Sequence, residues 1–299
     1  MEFVPHPTFP SQMLVGPRVV SETAPAPAAG GLKDVIVAVA KATLQADGPS
    51  AANIQPPSGD PPTSAAQQDL LLKDEGFQPA DPPHIRLEHD MAVFKPRADI
   101  VLLGAPAPPP PPPGFPSATR WSESVTVGGT VMTRAFGQGA PNVPELNSRT
   151  TFGWQARDSA ARKGHAGQDL GTFDPAQRRL PRAFSNRFFN GGWYGGGPAP
   201  AFAHLAPGAR IRIQASATFT SGGNQATGGR GRWLRLPASP PVMRVSYRSG
   251  PTVVTEQVAM RADTVVYRKD EPSFYVVWRG SWDLDSVTPR DRYLRVEVL

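Results

Sequence analysis

The chain has 299 residues, 39% of them hydrophobic and 19% charged, with a net charge of +6; that balance fits a folded chain and argues against a highly charged disordered one. Cysteine is absent, which excludes disulfide frameworks, thiolate metal sites and cysteine nucleophiles. Pro and Gly number 36 and 29, so long helices have little room.

In chain order, residues 3–20 alternate apolar side chains with Pro and Gly, which suits edge strands because Pro cannot donate to a ladder. Residues 34–44 are rich in β-branched side chains and run into the turn signal Asp47-Gly48-Pro49, which predicts a buried strand. Residues 49–83, rich in Pro, Ser, Ala and Gln, read as a long loop. Strand patterns return at 85–94 and 99–103. The prolines at 108–113 predict a polyproline II segment of about 19 Å. It reads first as a rigid spacer between strands and second as a ligand for an aromatic groove.

Ser124-Val-Thr-Val127 and Thr130-Val-Met-Thr133 flank Gly128-Gly129, the pattern of a β-hairpin with a tight turn. Residues 137–208, dense in Gly, Pro, Asn and Arg, read as connecting loops with a short helix around 158–163. Beyond them Arg210-Ile-Arg-Ile-Gln214 alternates. Met243, Val245 and Tyr247 share one strand face, with Arg244, Ser246 and Arg248 on the other. Further strands are expected at 252–260, 263–267, 274–278 and 293–298. The expected fold is mainly β: sandwich- or barrel-like antiparallel sheets with long Pro/Gly-rich loops and few short helices. The expected organisation is an N-terminal β region at 1–140, a loop-rich connection at 141–208 and a C-terminal β region at 209–299, or one continuous domain.

The first residues carry no basic and apolar leader pattern, and no stretch approaches the ~20 apolar residues of a membrane span, so a cytoplasmic protein is expected. Charge is uneven, with a net −4 over residues 1–140 and +10 over 141–299. Attraction between the halves explains this first; an acidic partner or nucleic acid at the basic half comes second.

Phosphate-binding, dinucleotide, nucleophile-elbow and zinc-helix motifs are all missing from the sequence, so neither catalysis nor a cofactor is expected. Of the histidines His6, His84, His89, His165 and His204, only His84 and His89 are close in sequence. Five apart on a strand, they point to opposite faces, and no metal site is expected. Asp283 and Asp285 share a strand face and form a candidate carboxylate pair, with a solvated loop as the plainer explanation. Gly228-Gly-Arg-Gly-Arg-Trp233 resembles nucleic-acid-binding Arg/Gly segments, but reads first as a hairpin loop that leads Trp233 and Leu234 into the core.

The most unusual run is 178–194, where aromatics, guanidiniums and side-chain amides crowd together. Leaving each large aromatic in water forgoes roughly 1.5–3 kcal/mol, so the β core or a partner protein must cover most of them. Arg187, Phe188, Phe189, Asn190, Trp193 and Tyr194 are therefore the candidate partner contacts, of types that dominate binding hot spots.

Within this run, Phe184-Ser-Asn-Arg-Phe-Phe-Asn-Gly-Gly192 resembles the signature of a bacterial domain-of-unknown-function family. Its members are encoded beside VgrG spike and PAAR genes of type VI secretion and are sometimes fused to pentapeptide repeats. Phe94-Lys-Pro-Arg-Ala-Asp-Ile-Val-Leu-Leu-Gly104 agrees in order, as do the blocks at 35–43, 205–211, 262–266 and 276–280. The resemblance spans nearly the whole chain and makes Lys95, Pro96, Asp99, Asn186, Gly191 and Gly192 family-motif residues. It implies an effector adaptor or chaperone that binds a toxic effector, often one with a PAAR domain, and helps mount it on the VgrG spike. It implies no catalysis and no established cofactor, and the lack of an apolar span leaves no membrane partner expected. The chain departs from the family at Arg149-Thr-Thr-Phe-Gly-Trp-Gln-Ala156, which lacks an expected Glu-Arg pair, so a partner contact made there in relatives is in doubt. A β-scaffold hydrolase using Asp283 or Asp285 and a nucleic-acid binder using the basic half are the alternatives.

Overall fold

The computed structural model describes residues 1–19, 32–48, 50–51, 62–73, 75, 89–91, 98–138, 149–153, 173–178, 202, 205–284 and 294–299. The alternating and β-branched segments form strands. The first are β1 (Glu2–Val4), β2 (Ser11–Val19), β3 (Leu32–Gln45), β4 (Ser50–Ala51) and β5 (Asp99–Leu103). Next come β6 (Arg120–Val127), β7 (Thr130–Gly137), β8 (Arg149–Gly153), β9 (Arg210–Ser221) and β10 (Asn224–Arg235). The set is completed by β11 (Val242–Ser249), β12 (Thr252–Ala259), β13 (Arg261–Arg268), β14 (Ser273–Asp283) and β15 (Leu294–Val298).

These strands make three sheets: a six-stranded sheet in the order β2-β3-β14-β13-β5-β8, a five-stranded one, β4-β10-β9-β6-β7, and a four-stranded one, β1-β15-β11-β12. All pairings are antiparallel except β1 with β15 and β13 with β5. Strands distant in sequence meet in each sheet: β3 lies along β14, β6 along β9 and β1 along β15. The fold is mainly β and sandwich-like, as the alternation predicts.

The six-stranded sheet is the middle layer. Its first face, with Ile36, Ile100 and Trp278, shares one apolar core with Ile213 and Val125 of the five-stranded sheet and Met243 and Val296 of the four-stranded sheet. Its second face, with Val37, Val39, Val266 and Val277, is covered by Leu70, Leu71, Leu72, Met91 and Phe173 from segments without regular structure. Burial on both sides explains why β5 is apolar after Asp99 instead of alternating, since neither face meets water. Edge strand β2 accommodates Pro17, as the Pro-rich pattern predicts. Gly128 and Gly129, at φ 53° and 85°, form the turn between β6 and β7, where Trp121 and Phe136 stack at 5.9 Å. The proline run 108–113 lies between β5 and β6 outside any strand or helix, and ends in a turn where Phe115 donates to the Pro112 carbonyl.

Three expectations change. Residues 89–91, inside the expected strand at 85–94, are not a strand: the Asp90 N–H donates to the Leu71 carbonyl and its side chain turns into a buried ion pair. The region 137–208 contains β8, held at the edge of the six-stranded sheet by Phe152, whose ring enters the shared core. The expected helix at 158–163 lies outside the described residues. The Arg/Gly segment 228–233 is the interior of β10, fully in register with β9, and the turn lies earlier at Gly222-Gly223. The physical reason is the close approach of Phe219: a Cβ on Gly228 would lie 2.8 Å from its ring. Glycine there makes room for a buried aromatic instead of loosening a loop.

Gly228→Val should therefore destabilise the protein by about 1–3 kcal/mol in chemical unfolding, because the added branch must displace Phe219. A loss below about 0.5 kcal/mol would show that the ring moves aside freely.

Candidate functional site

Alternation along β3 puts Val35, Val37 and Val39 on the second face of the middle sheet and then, two residues on, Lys41 and Thr43, both buried. The same alternation in β14 follows Tyr275 and Val277 with Arg279. These cations meet two carboxylates. Arg279 Nη1 donates to both oxygens of Asp263 at 2.6 Å, while its Nη2 donates to the Asp90 carbonyl. Lys41 Nζ lies 3.2 Å from Asp90 Oδ2, donates to the Asp69 carbonyl at 2.8 Å and sits 4.0 Å from the centre of the Tyr275 ring. Asp263 occupies a register irregularity of β13 between Ala262 and Thr264, which re-aims its side chain, and the Thr264 hydroxyl donates to it at 2.8 Å. Asp99, fully buried, stands beside Thr264 in the parallel register of β5 and β13, and buried His89 precedes Asp90. Of the motif residues named from the resemblance, Asp99 is the one among the described residues, and it lies beside Thr264 of this network.

The network fastens irregular chain to the sheet. Gln67 takes the place of a neighbouring strand, accepting from the Thr43 N–H at 2.9 Å and donating to its carbonyl at 3.0 Å. Asp90 Oδ2 also accepts the Leu71 N–H at 2.7 Å, and Phe173 N–H donates to the Leu72 carbonyl. The cover thus builds outward from β3 through residues 62–73 and 89–91 to Phe173. Arg178, at φ 55°, ties this segment to the N-terminal strands: its carbonyl accepts the Val15 N–H and its Nη1 donates to the Met1 carbonyl. Asp90 Oδ2 and both oxygens of Asp263 are engaged by cations, a hydroxyl and a backbone N–H, an arrangement that holds chain in place.

A second polar group sits between the five- and six-stranded sheets. Glu123 accepts from Lys269 at 2.6 Å and from the Thr150 hydroxyl at 3.2 Å. Burial pushes the Lys269 ammonium below its usual range, with Glu123 opposing and Arg230 adding to the shift. Burial likewise raises the Tyr267 phenol, over which the Arg232 guanidinium stacks at 5.5 Å. Thr150 and Phe152, in the stretch that departs from the resembled pattern, are buried as part of strand β8.

Arg187, Phe188, Phe189, Asn190, Trp193 and Tyr194 lie outside the described residues, as do Lys95, Pro96, Asn186, Gly191 and Gly192. Asp283 is exposed at the end of β14, and Asp285 lies outside the described residues. His6 stacks on Phe9 at 4.5 Å and accepts the Thr8 and Phe9 N–H groups; burial lowers its pKa. Among the described residues no group of three His, Asp or Glu side chains is placed to hold a metal ion, and no helix is long and apolar enough to cross a membrane. The sequence reading missed Lys41 and Arg279. The signal was a cation that directly follows an unbroken apolar or aromatic run, Lys41 after 35–40 and Arg279 after 274–278.

No family model matches this chain, and no curated protein or solved structure matches it.

Asp263→Asn should cost about 3–5 kcal/mol in urea unfolding, because it leaves Arg279 buried without its counter-charge. The paired change Asp263→Leu with Arg279→Met should recover much of that loss. A single variant as stable as the parent would show that the pair does not hold the cover.

Proposed function

We propose that the protein is a cytoplasmic, non-catalytic adaptor that binds a type VI secretion effector, one carrying a PAAR domain, and helps load it onto the VgrG spike. The observation that carries this reading is the anchoring of both stems of the run 179–201, which holds the six candidate contacts. On one side Phe173 is buried in the second core and Arg178 is hydrogen-bonded to β2. On the other, Phe202 is buried and bridges Ala98, and Leu205 bridges Ala262 at the start of β13. Stems fixed to a rigid β layer are what a binding loop needs, because ordering done within the free protein is not paid again on association.

The blocks of residues resembling the adaptor family support the same reading, and they include the segment around buried Asp99. The hydrolase alternative rests on Asp283 or Asp285, and of these Asp283 is an exposed residue at the end of β14, not part of the buried carboxylate network.

The test is co-expression with the toxin encoded beside the gene. The expected result is a stable complex, weakened roughly tenfold or more by Arg187→Glu with Trp193→Ala. A well-folded toxin that is never captured, alone or together with the spike protein, would overturn the proposal.

A further inference from the structure

The outer face of the five-stranded sheet carries charge of one sign. In-register pairing defines the face row by row: Trp233, Arg212, Thr126 and Val131 form one row. Gly231, Gln214, Ser124 and Thr133 form the next, followed by Gly229, Ser216, Ser122 and Ala135. The charged side chains on this face are Arg210, Arg212 and Arg235 at one end and Arg120 at the other. Arg235 is matched by Asp47 at 2.8 Å, but Arg120, Arg210 and Arg212 form no ion pair among the described residues. Arg212 stacks on Trp233 at 5.9 Å, and its Nη2, shielded from water, has no hydrogen-bond acceptor.

Between these ends lies a floor of Gly, Ser, Thr, Ala and Gln that contributes nothing to either apolar core, with Val131 59% exposed at its border. The chain around it explains the imbalance. From Pro175 to Thr255 there are eleven arginines and no Asp, Glu or Lys. Solvent-facing sheets ordinarily mix both signs, which keeps them from attracting one class of partner.

We propose that this face is a docking surface for an acidic polypeptide surface on a partner protein, clamped by Arg210 and Arg212 at one end and by Arg120 at the other. Charge complementarity selects the partner's sign, and the flat small-residue floor admits close approach of a strand or extended segment. Nucleic acid fits less well. Arg212 and Arg120 stand six residues apart along β9, about 20 Å, with no cation on this face between their rows, whereas a phosphate backbone presents charge at every nucleotide. Single-strand binders also stack successive bases on several aromatics, and this face presents Trp233 alone. The proposal does not depend on the effector reading, since none of its residues is among the six candidate contacts.

Binding of a fluorescein-labelled oligoglutamate peptide, followed by anisotropy with the full chain, tests it. Arg210→Glu with Arg212→Glu should weaken binding about tenfold or more, and Arg120→Glu by a smaller factor. Ser216→Trp, which raises the floor without changing charge, should weaken it too. The control Arg248→Glu with Arg261→Glu alters exposed arginines of other strands by the same net charge and should leave binding within about twofold. Equal weakening by the control would overturn the proposal, as would tighter binding of a single-stranded oligonucleotide through the same arginines. Melting curves establish that each variant is folded. Peptide binding without capture of the toxin would keep this surface and reject the effector reading alone.

Discussion

Lys41, Asp90, Asp263 and Arg279 meet beneath a cover that shuts out water, and a charge there has to find its counter-charge within the protein. Asp90 comes from irregular chain and Asp263 from a bulge in β13, so the ion pairs form only when the cover is seated and the strands are in register. The same contacts fix residues 62–73, 89–91 and 173–178 against the sheet. The apolar cover of Leu70 to Leu72, Met91 and Phe173 supplies the driving force, and the charges supply the single position in which it fits.

The uneven charge of the chain takes a definite form in the fold. Acids of the first half pair with bases of the second: Asp47 with Arg235, Glu123 with Lys269 and Glu2 with Arg295. The attraction between halves expected from the sequence is therefore spent in identifiable contacts. The carboxylates are outnumbered, and the surplus falls on arginines of the long acid-free stretch, several of which share the outer face of the five-stranded sheet. What composition presents as a diffuse basic half becomes a set of paired interior charges and one exposed basic face.

Much of the fold was legible because alternation and burial have the same period. Residues 34–44, the hairpin at Gly128-Gly129 and the alternating 210–214 all form strands near the expected places. The errors have a common cause. Glycine at 228 looked like chain freedom, but it answers to the ring of Phe219, which lies on the neighbouring strand. Residues 89–91 carried an apolar and polar alternation that long-range pairing overrode, and Thr150 and Phe152 were too short a pattern to reveal β8. The candidate site was only partly legible. Asp99 was named as a motif residue and the blocks at 35–43, 262–266 and 276–280 contain Lys41, Asp263 and Arg279, but these and Asp90 are spread over more than two hundred residues, and no local pattern shows that they meet.

By itself the sequence determined the β class, the hairpin turn, the exclusion of thiol chemistry and the direction of the charge imbalance, since each follows from local periodicity or from composition. Only the tertiary structure decided that one sheet is buried on both faces, which charges neutralise one another, and which arginines remain on an open surface. Those outcomes depend on which segments distant in the chain lie side by side. Pairing of that kind is settled by the shared exclusion of water from apolar faces and buried ions, for which no stretch of sequence holds both partners.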